Sequence, residues 1–433
     1  MVTKTAVKQA QDLLDFIDAS PSPWHAVKST VSQLEANGFE ALVESEPWHL
    51  KDNGRYYVCR DGASIIAFSL GSNPITEAGF RIVGAHTDSP GLRLKPKAAI
   101  ANQGVAQLGV EVYGGPILAT FTDRDLSVAG RVNITTSSGF TTEYLHTSES
   151  IVRLPNLAIH LNREVNTKGL LLDKQTQLPL IFGYAADSIE AKNKLNEIIA
   201  DHLNINQADI LSWELNVYDT QKGCLWGSNN EFIANSQLDN LASCHAALQA
   251  LISTSKPDAT NICAFFDHEE VGSESATGAG GSFIGDILQR ICTFYQATEE
   301  DRLRGFANSF FISADMAHAF HPNHPAAYEP EHHAIVNQGP VIKTNANQRY
   351  STNAITAARF IQLCKEAKVP YQEYAHRTDL GCGSTIGPTV AAQLGMPTVD
   401  VGNPMWAMHS IRESAGVLDH GYMIAVLKQH FQS

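Results

Sequence analysis

The sequence predicts an α/β fold with a mainly parallel sheet covered by helices, interrupted by a β-rich insert. From Asn235 onward, short apolar runs alternate with stretches of helical spacing, and such alternation is typical of a mainly parallel sheet. After Pro96 the chain becomes rich in Gly, Val and Thr in short alternating runs, most clearly over residues 105–132. Acidic residues and histidines follow several of the apolar runs, and sheets of this kind form their binding sites beyond the carboxyl ends of the strands.

The first part of the chain predicts two helices, a hairpin and one buried strand. Residues 4–18 have helical spacing, and the Ser-Pro-Ser-Pro stretch at 20–23 ends that helix and begins a second one. Residues 56–69 are typical of a hairpin. Residues 80–83 form a short apolar run, which predicts a buried strand.

The β-rich insert extends to about Cys224 and contains a turn candidate at 137–139 and a helix candidate at 187–203. Strands and helices then alternate to the end of the chain. The helices are predicted at 241–252, 282–293, 354–367 and 416–431, and the strands at 262–266, 310–313 and 397–401.

Composition excludes several classes of protein. The chain has 433 residues and is 43% hydrophobic, which is enough for two domains or for one domain with a large insertion. No apolar run approaches the roughly 20 residues of a membrane helix, and the opening residues lack a signal-peptide core, so we expect a cytoplasmic protein with no membrane partner. Seven scattered cysteines without a C-x-x-C pair favour a reducing cytosol. The net charge of -14 without a basic cluster argues against nucleic acid as a partner.

The A-F-F-D-H-E-E-V-G stretch at 264–272 carries the strongest chemical signal. Two adjacent carboxylates, Glu269 and Glu270, follow a predicted buried strand, where they are costly unless a cation compensates them. One carboxylate can hold a metal ion while the other faces a water molecule as general base. For an isolated Glu-Glu pair, a solvated acidic loop would be the better interpretation.

Other predicted strand ends carry residues of the same kind. Together they supply His86, Asp88, Asp239, Glu269, Glu270, Asp315 and His409. Two histidines and three or four carboxylates can hold two zinc ions when one carboxylate bridges them. In the His86-Thr-Asp88 sequence, Asp88 is placed to orient a metal-bound imidazole, although an aspartate before Ser89-Pro90 can also cap a helix.

Nine short motifs run in order over nearly the whole chain. They are A-S-P-S-P-W-H-A-V at 19–27, A-H-T-D-S-P-G at 85–91, G-V-E-V-Y-G-G-P at 109–116, D-R-D-L at 123–126, L-A-I-H-L at 157–161, D-H-E-E-V-G-S at 267–273, D-M-A-H-A at 315–319, G-S-T-I-G-P at 383–388 and M-H-S-I-R-E at 408–413. In these motifs the chain resembles the aspartyl aminopeptidase family of cytosolic cocatalytic-zinc exopeptidases. One departure is Phe121-Thr122 before D-R-D-L, where an aromatic residue of the Trp kind is expected; it does not touch the metal motifs.

The resemblance implies two zinc ions per subunit and a role for each strand-end residue. His86 and Asp315 hold one zinc, Glu270 and His409 hold the other, Asp239 bridges them and Glu269 is the general base. Asp88, which the His-x-Asp spacing places beside His86, is counted with the catalytic residues. The family also implies a three-layer α/β/α zinc-peptidase domain formed by residues 1–93 and 232–433. Residues 94–231 form the inserted oligomerisation domain, and the subunits assemble as a tetrahedral dodecamer that encloses the active sites.

Four further residues are candidates for contact with the substrate. His160 alone is typical of a core histidine, whereas the resemblance places it in a neighbouring subunit's site. His318 can polarise the substrate carbonyl or lie in a loop. Lys343 follows an apolar run and is either an exposed lysine or, as the resemblance implies, the cation that faces an acidic side chain, with Tyr350 as an added hydroxyl donor. Backbone N–H groups at 381–385 can meet a substrate anion or form a tight turn.

We therefore expect a zinc aminopeptidase that removes N-terminal residues, preferentially Asp or Glu, from peptides. Within enzymes, the alternative is a dizinc deacylase of acylated amino acids. From another class, the alternative is a non-catalytic assembly protein that keeps zinc for structure. That last alternative predicts loss of the general base, whereas Glu269 is present.

Overall fold

The computed structural model describes residues 2–433, which divide into two compact units. The first unit comprises the residues up to Asp88 together with Gly223–Met408 and Glu413–Ser433. The second comprises Ser89–Lys222 and His409–Arg412. No helix within residues 2–433 is both long enough and apolar enough to cross a membrane.

The helices and strands are numbered in chain order. The helices are α1 Lys4–Asp18, α2 Pro23–Ala36, α3 Ile75–Ala78, α4 Val165–Lys168, α5 Ser188–Leu203, α6 Leu238–Ile252, α7 Phe283–Phe294, α8 Glu299–Asn308, α9 Ala354–Ala367, α10 Ile386–Leu394 and α11 Val417–Phe431. The strands are β1 Glu40–Leu42, β2 Arg55–Arg60, β3 Ser64–Ser69, β4 Phe80–His86, β5 Gly91–Asn102, β6 Val105–Tyr113, β7 Leu126–Thr136, β8 Gly139–His146, β9 Leu180–Tyr184, β10 Ile210–Asp219, β11 Cys224–Trp226, β12 Phe232–Asn235, β13 Thr260–Phe266, β14 Phe310–Ala314, β15 Ala317–His318, β16 Val341–Thr344, β17 Gln372–Ala375, β18 Thr398–Gly402, β19 Pro404–Trp406 and β20 Glu413–Gly416.

A nine-stranded sheet forms the centre of the first unit, in the order β1-β2-β3-β13-β4-β14-β18-β16-β17. Its central strands β13, β4, β14 and β18 are mutually parallel, as are the edge pairs β1–β2 and β16–β17. The remaining junctions, β2–β3, β3–β13 and β16–β18, are antiparallel. The α/β prediction is therefore confirmed, with a sheet that is mixed overall and parallel at its centre.

Helices cover both faces of this sheet because successive strand residues point to opposite sides. Val83 of β4 packs in one apolar cluster with residues of α1, α6 and α11. Its neighbour Ile82 packs in a second cluster with residues of α7 and α10. The first unit is therefore a three-layer α/β/α structure.

The second unit contains a six-stranded sheet in the order β8-β7-β10-β5-β6-β9, with antiparallel pairing throughout. The predicted turn at 137–139 joins β7 to β8. The predicted helix is α5, which begins after Asp187, whose carboxylate accepts N–H groups of the first turn. Leu195 and Ile199 of α5 pack in the core of this unit with residues of the sheet.

The central parallel strands place the candidate site. His86 ends β4 and pairs with Phe266, the last residue of β13. The neighbouring strand β14 ends at Ala314, directly before Asp315. Because these strands are parallel, their carboxyl ends meet at one edge of the sheet, and the polar residues that follow them come together.

Candidate metal centre and substrate residues

His86 is the central side chain of the candidate metal centre. Its imidazole is buried, and its Nδ1 lies 3.0 Å from the backbone carbonyl oxygen of Asp88. Because a carbonyl oxygen only accepts hydrogen bonds, Nδ1 is the protonated nitrogen and the lone pair is on Nε2. Nε2 lies 3.5 Å from an oxygen of Asp239 and 3.8 Å from an oxygen of Asp315.

These spacings fit a zinc ion better than direct hydrogen bonds. Donor–acceptor distances in N–H···O hydrogen bonds are about 2.7–3.2 Å, shorter than the 3.5 and 3.8 Å separations found at Nε2 of His86. Two ligand atoms about 2.0–2.2 Å from a tetrahedral zinc are themselves about 3.3–3.6 Å apart, a range that contains the 3.5 Å separation and lies just below the 3.8 Å one. His86, Asp239 and Glu270 also offer ligand atoms that all lie within 4.8 Å of one another. An imidazole with several carboxylates is a donor set that zinc accepts, so the residues present fit the metal.

Asp88 contacts both His86 and the backbone of Glu269 and Glu270. One carboxylate oxygen lies 3.4 Å from Nδ1 of His86. The two oxygens also accept the backbone N–H groups of Glu269 and Glu270, at 3.2 and 3.1 Å. The sequence predicts that the Asp88 carboxylate orients the histidine. In the structure the nearer acceptor for Nδ1 is the backbone carbonyl of Asp88, and the carboxylate fixes the Glu-Glu backbone.

Glu269 and Glu270 follow β13 in a single 3₁₀ turn, Glu269–Val271. Burial raises the pKa of Glu269 to about 8, with the nearby His86 opposing this and the carboxylates of Asp315 and Asp88 adding to it. Burial and the carboxylate of Asp239 likewise raise the pKa of Glu270 well above its ordinary value. Such crowding of acids is unfavourable without a cation.

The pKa of His86 reflects the same crowding. Burial lowers the pKa of His86, but the nearby carboxylates of Asp239, Asp315 and Asp88 outweigh burial and raise it well above its ordinary value. A proton on this imidazole would supply the positive charge that the carboxylates require in the absence of metal. The centre is therefore electrostatically complementary to a cation.

Asp239 is held by neighbouring elements of the first unit. Its backbone N–H donates to the carboxylate of Glu413 at 3.0 Å, and the Asn240 side chain donates to the carbonyl of Ala314 at 2.9 Å. The Asp239–Asn240 peptide bond is cis. Sequence reasoning missed Glu413 as a contact of this segment, although it ends the M-H-S-I-R-E motif.

His409 belongs to the second unit. Its Nδ1 lies 3.1 Å from the carbonyl oxygen of Gly115 in the same unit. Nδ1 therefore donates a hydrogen bond to the carbonyl oxygen of Gly115, and Nε2 is the nitrogen suited to a metal. Its predicted role as a ligand of the second zinc stays a prediction.

His318 and His160 lie in different environments. His318 ends the short strand β15 in the first unit, with its ring 6.2 Å from the ring of Tyr374 and 6.1 Å from that of His376. His160 lies in an exposed loop of the second unit, beside the exposed Ile159 and Leu161. The structure thus excludes a core histidine at 160, and the roles of both histidines in catalysis or substrate binding stay predictions.

Lys343 is buried rather than exposed at a strand end, with 2% of its surface accessible. Its Nζ donates to the backbone carbonyls of Asp315 and Met316, at 2.9 and 3.2 Å. Nζ also lies 5.0 Å from the centre of the Tyr350 ring, within range of a cation–π contact. The structure therefore brings Lys343 and Tyr350 together beside Asp315. An ammonium has three donors, and two of those of Lys343 are directed at these backbone carbonyls.

The chain resembles one family of peptidases over almost its full length. The family model described as aminopeptidase I zinc metalloprotease (M18) matches residues 16–431. A relative in Ectopseudomonas mendocina (strain ymp), named a probable M18 family aminopeptidase 2, is 48% identical over 425 residues, which cover 98% of each chain.

Solved structures of the same kind share the fold. A chain from a structure described as a cryo-EM structure of the Ape4 and Nbr1 complex is 38% identical, with a TM-score of 0.95 over 99% of this chain and 86% of that chain. A chain from the Saccharomyces cerevisiae mApe1 dodecamer is 26% identical, with a TM-score of 0.85 over 98% of this chain and 96% of that chain.

Proposed function

The chain belongs to the M18 family of zinc aminopeptidases, and from this premise we propose that it removes N-terminal Asp or Glu residues from peptides at a centre of two zinc ions. The observation that carries the proposal is the buried His86 imidazole, which faces Asp239 and Asp315 at 3.5 and 3.8 Å. His86 and Asp315 are proposed to hold one zinc, Glu270 and His409 the other, with Asp239 bridging. Zinc, when bound, supplies Lewis acidity that polarises a carbonyl and makes water more acidic.

Glu269 is proposed as the general base. One of its carboxylate oxygens lies 4.0 Å from Nε2 of His86, so it borders the proposed zinc ligands, and its backbone N–H is fixed by Asp88 at 3.2 Å. Glu269 takes a proton from the attacking water and later delivers it to the leaving amine. His318 donates a hydrogen bond to the substrate carbonyl oxygen as negative charge develops there.

Lys343, with Tyr350, is proposed to select the acidic N-terminal side chain. The protein carries a net charge of -14, so attraction of an acidic substrate requires a local cation. Lys343 is a buried cation whose Nζ contacts the carbonyl of Asp315, so it lies against the proposed zinc ligand. A charge-assisted hydrogen bond contributes about 1.5–3 kcal/mol, which corresponds to roughly ten- to a hundred-fold in selectivity.

The proposal is tested by turnover of matched peptides that differ only in the N-terminal residue, Asp against Leu, with zinc-loaded protein. Lys343→Met is expected to lower kcat/KM on the Asp peptide by about ten- to a hundred-fold and on the Leu peptide much less. Equal losses on both peptides at unchanged zinc content would assign Lys343 a structural role. Hydrolysis of acyl-amino acids in preference to peptides would support the dizinc deacylase instead.

We also propose that the subunits form a closed homo-oligomer, a dodecamer, through the second unit, with His160 acting across a subunit boundary. The dodecameric S. cerevisiae mApe1 chain, of the same fold over 98% of this chain, supports this assembly. The cytoplasmic location is proposed from the odd, scattered set of seven cysteines in the sequence.

A further inference from the structure

Asp400 is a buried carboxylate outside the metal centre and outside the motifs of the sequence. It lies in β18 with no measurable surface exposure. Its carboxylate accepts hydrogen bonds from a neutral backbone group and two hydroxyls. A buried carboxylate of this kind is costly unless hydrogen bonds compensate it, so its partners are informative.

The partners of Asp400 come from two separate segments. One carboxylate oxygen accepts both the backbone N–H and the hydroxyl of Ser351, each at 2.6 Å. The other accepts the hydroxyl of Thr385 at 2.5 Å. Thr385 is the N-cap residue of α10, and a negative charge is favourable at the N-terminus of a helix. The carboxylate also packs closely on Gly387, where an added Cβ would lie 2.4 Å from it.

Both segments lead to the residues proposed to select the substrate. Ser351 directly follows Tyr350, whose ring lies 5.0 Å from Nζ of Lys343. Thr385 ends the Gly-Cys-Gly-Ser-Thr stretch at 381–385. The two segments also contact each other, since the hydroxyl of Ser384 donates to the carbonyl of Arg349 at 3.1 Å.

A continuous set of contacts thus joins Asp400 to the metal centre. Asp400 holds Ser351, the adjacent Tyr350 lies against Lys343, and Lys343 donates to the carbonyl of Asp315. We propose that Asp400 is a positioning residue for substrate selection: it fastens the 349–351 and 381–385 segments and thereby fixes Tyr350 and Lys343 against the acidic side chain of the substrate. This inference rests on the proposed preference for Asp or Glu.

The test compares Asp400→Asn with the wild type on the matched Asp and Leu peptides. The amide retains one acceptor but directs N–H groups at donors, so the anchor is weakened. We expect the ratio of kcat/KM values, Asp peptide over Leu peptide, to fall about ten-fold or more, through KM on the Asp peptide. Zinc content and kcat on the Leu peptide are expected to stay close to those of the wild type.

Ser351→Ala and Thr385→Val each remove one hydroxyl donor, and they keep the test decisive if Asp400→Asn does not fold. Each is expected to shift the ratio several-fold in the same direction. Ser309→Ala is the matched control. Its hydroxyl is also buried and contacts two backbone groups, Phe80 N–H at 2.9 Å and the Gly305 carbonyl at 2.7 Å. It lies at the amino ends of β4 and β14, whereas the metal centre lies at their carboxyl ends. Its ratio should not change.

The outcomes separate this inference from the function on which it rests. A wild-type protein without preference for the Asp peptide would overturn the proposed specificity and this inference with it. A wild-type preference that persists unchanged in the Ser351 and Thr385 variants would overturn only the role of Asp400. If the Asp400, Ser351 and Thr385 variants lose activity equally on both peptides, and Ser309→Ala loses as much, Asp400 contributes to stability alone.

Discussion

Glu269 is the single residue on which the proposed proton transfers depend. Glu269→Gln retains the shape of the side chain but removes its ability to accept a proton, so kcat is expected to fall about 10²- to 10⁴-fold. Zinc content is expected to stay near that of the wild type, because Glu269 is not among the proposed ligands. The check combines steady-state turnover with metal analysis of the same sample, and near-normal turnover in zinc-replete Glu269→Gln would exclude this residue as the base.

Asp239 gives the contrasting result at the same scale. Because it is proposed to contact both ions, Asp239→Ala is expected to lose zinc as well as activity. Metal analysis after dialysis checks this, with Glu269→Gln as the control that keeps the ligand set intact. Two zinc ions retained per chain in Asp239→Ala would contradict the bridging role.

Some of these site residues can be predicted from the sequence and others cannot, because only some of them depend on neighbours that are close along the chain. Only two residues separate Glu269 and Glu270 from a buried strand that ends at Phe266, so their unfavourable position is visible in the local pattern. Lys343 and Asp400 each lie in or near a similar apolar run, but Asp315 is 28 residues from Lys343 and Ser351 is 49 residues from Asp400 along the chain. The spacing of residue types along the chain carries no information about contacts between residues so far apart in sequence. The buried state of Lys343 therefore required the structure.

At the scale of elements, α6 and α11 meet through a pair of buried histidines. Nδ1 of His245 in α6 lies 2.9 Å from Nε2 of His420 in α11, and the two rings are stacked with centroids 5.0 Å apart. Burial lowers the pKa of His420 to about 3. Burial, with the neighbouring His420, lowers the pKa of His245 well below its ordinary value. The packing of these helices therefore requires neutral imidazoles.

This pair predicts acid sensitivity. In the unfolded chain His420 gains a proton near pH 6.5, whereas the folded protein resists it down to about pH 3. The stability it contributes is present above pH 6.5 and is lost as the pH falls toward 3, at up to about 1.4 kcal/mol per pH unit. Burial raises the pKa of the adjacent Asp419 to about 7, so its contribution has the opposite sign and grows as the pH falls from 7 to 4.

A comparison with His420→Gln removes the contribution of His420 together with its effect on the pKa of His245. Between pH 6.5 and 4.5 the loss in free energy of unfolding should be smaller in the variant by about 2 kcal/mol. Urea titrations at several pH values measure it, and acid loss of zinc, common to both proteins, cancels in the comparison. Parallel pH profiles for the two proteins would show that His420 does not titrate on unfolding.

The elements themselves were largely predictable where apolar periodicity or capping residues are strong. Residues 4–18 and 354–367 coincide with α1 and α9. Helix α8 is not among the predicted helices because it is mostly polar and buries only Gly305 and Phe306, although its capping box of Thr298 and Asp301 is a usable signal. The order of strands in the nine-stranded sheet was not predictable, because β13 enters between β3 and β4 from a distant part of the chain.

At the scale of the whole molecule, the loop that carries His160 presents apolar side chains to the surface. Leu157, Ile159 and Leu161 are 59%, 47% and 73% exposed, and Leu171 farther along is 84% exposed. Grouped exposed apolar side chains are typical of surfaces that another protein covers. The sequence alone could not separate this arrangement from a buried L-A-I-H-L strand, because both share the same apolar pattern.

Assembly then predicts complementation between inactive subunits. If His160 acts in a neighbouring subunit's site, Glu269→Gln inactivates the site of its own subunit, whereas His160→Ala inactivates the site of the neighbouring subunit. In a mixed oligomer, some sites pair an intact Glu269 with an intact His160, so activity is expected to return.

The experiment dissociates and reassembles equal amounts of the two variants, with each variant reassembled alone as the control and light scattering to measure the mass. For random mixing in equal amounts, about a quarter of the sites combine both intact residues, because each site draws its own subunit and its donor independently. Recovery near a quarter of wild-type activity is therefore expected, whereas a fully active monomer, or mixed oligomers no more active than the controls, would show that each chain completes its site alone.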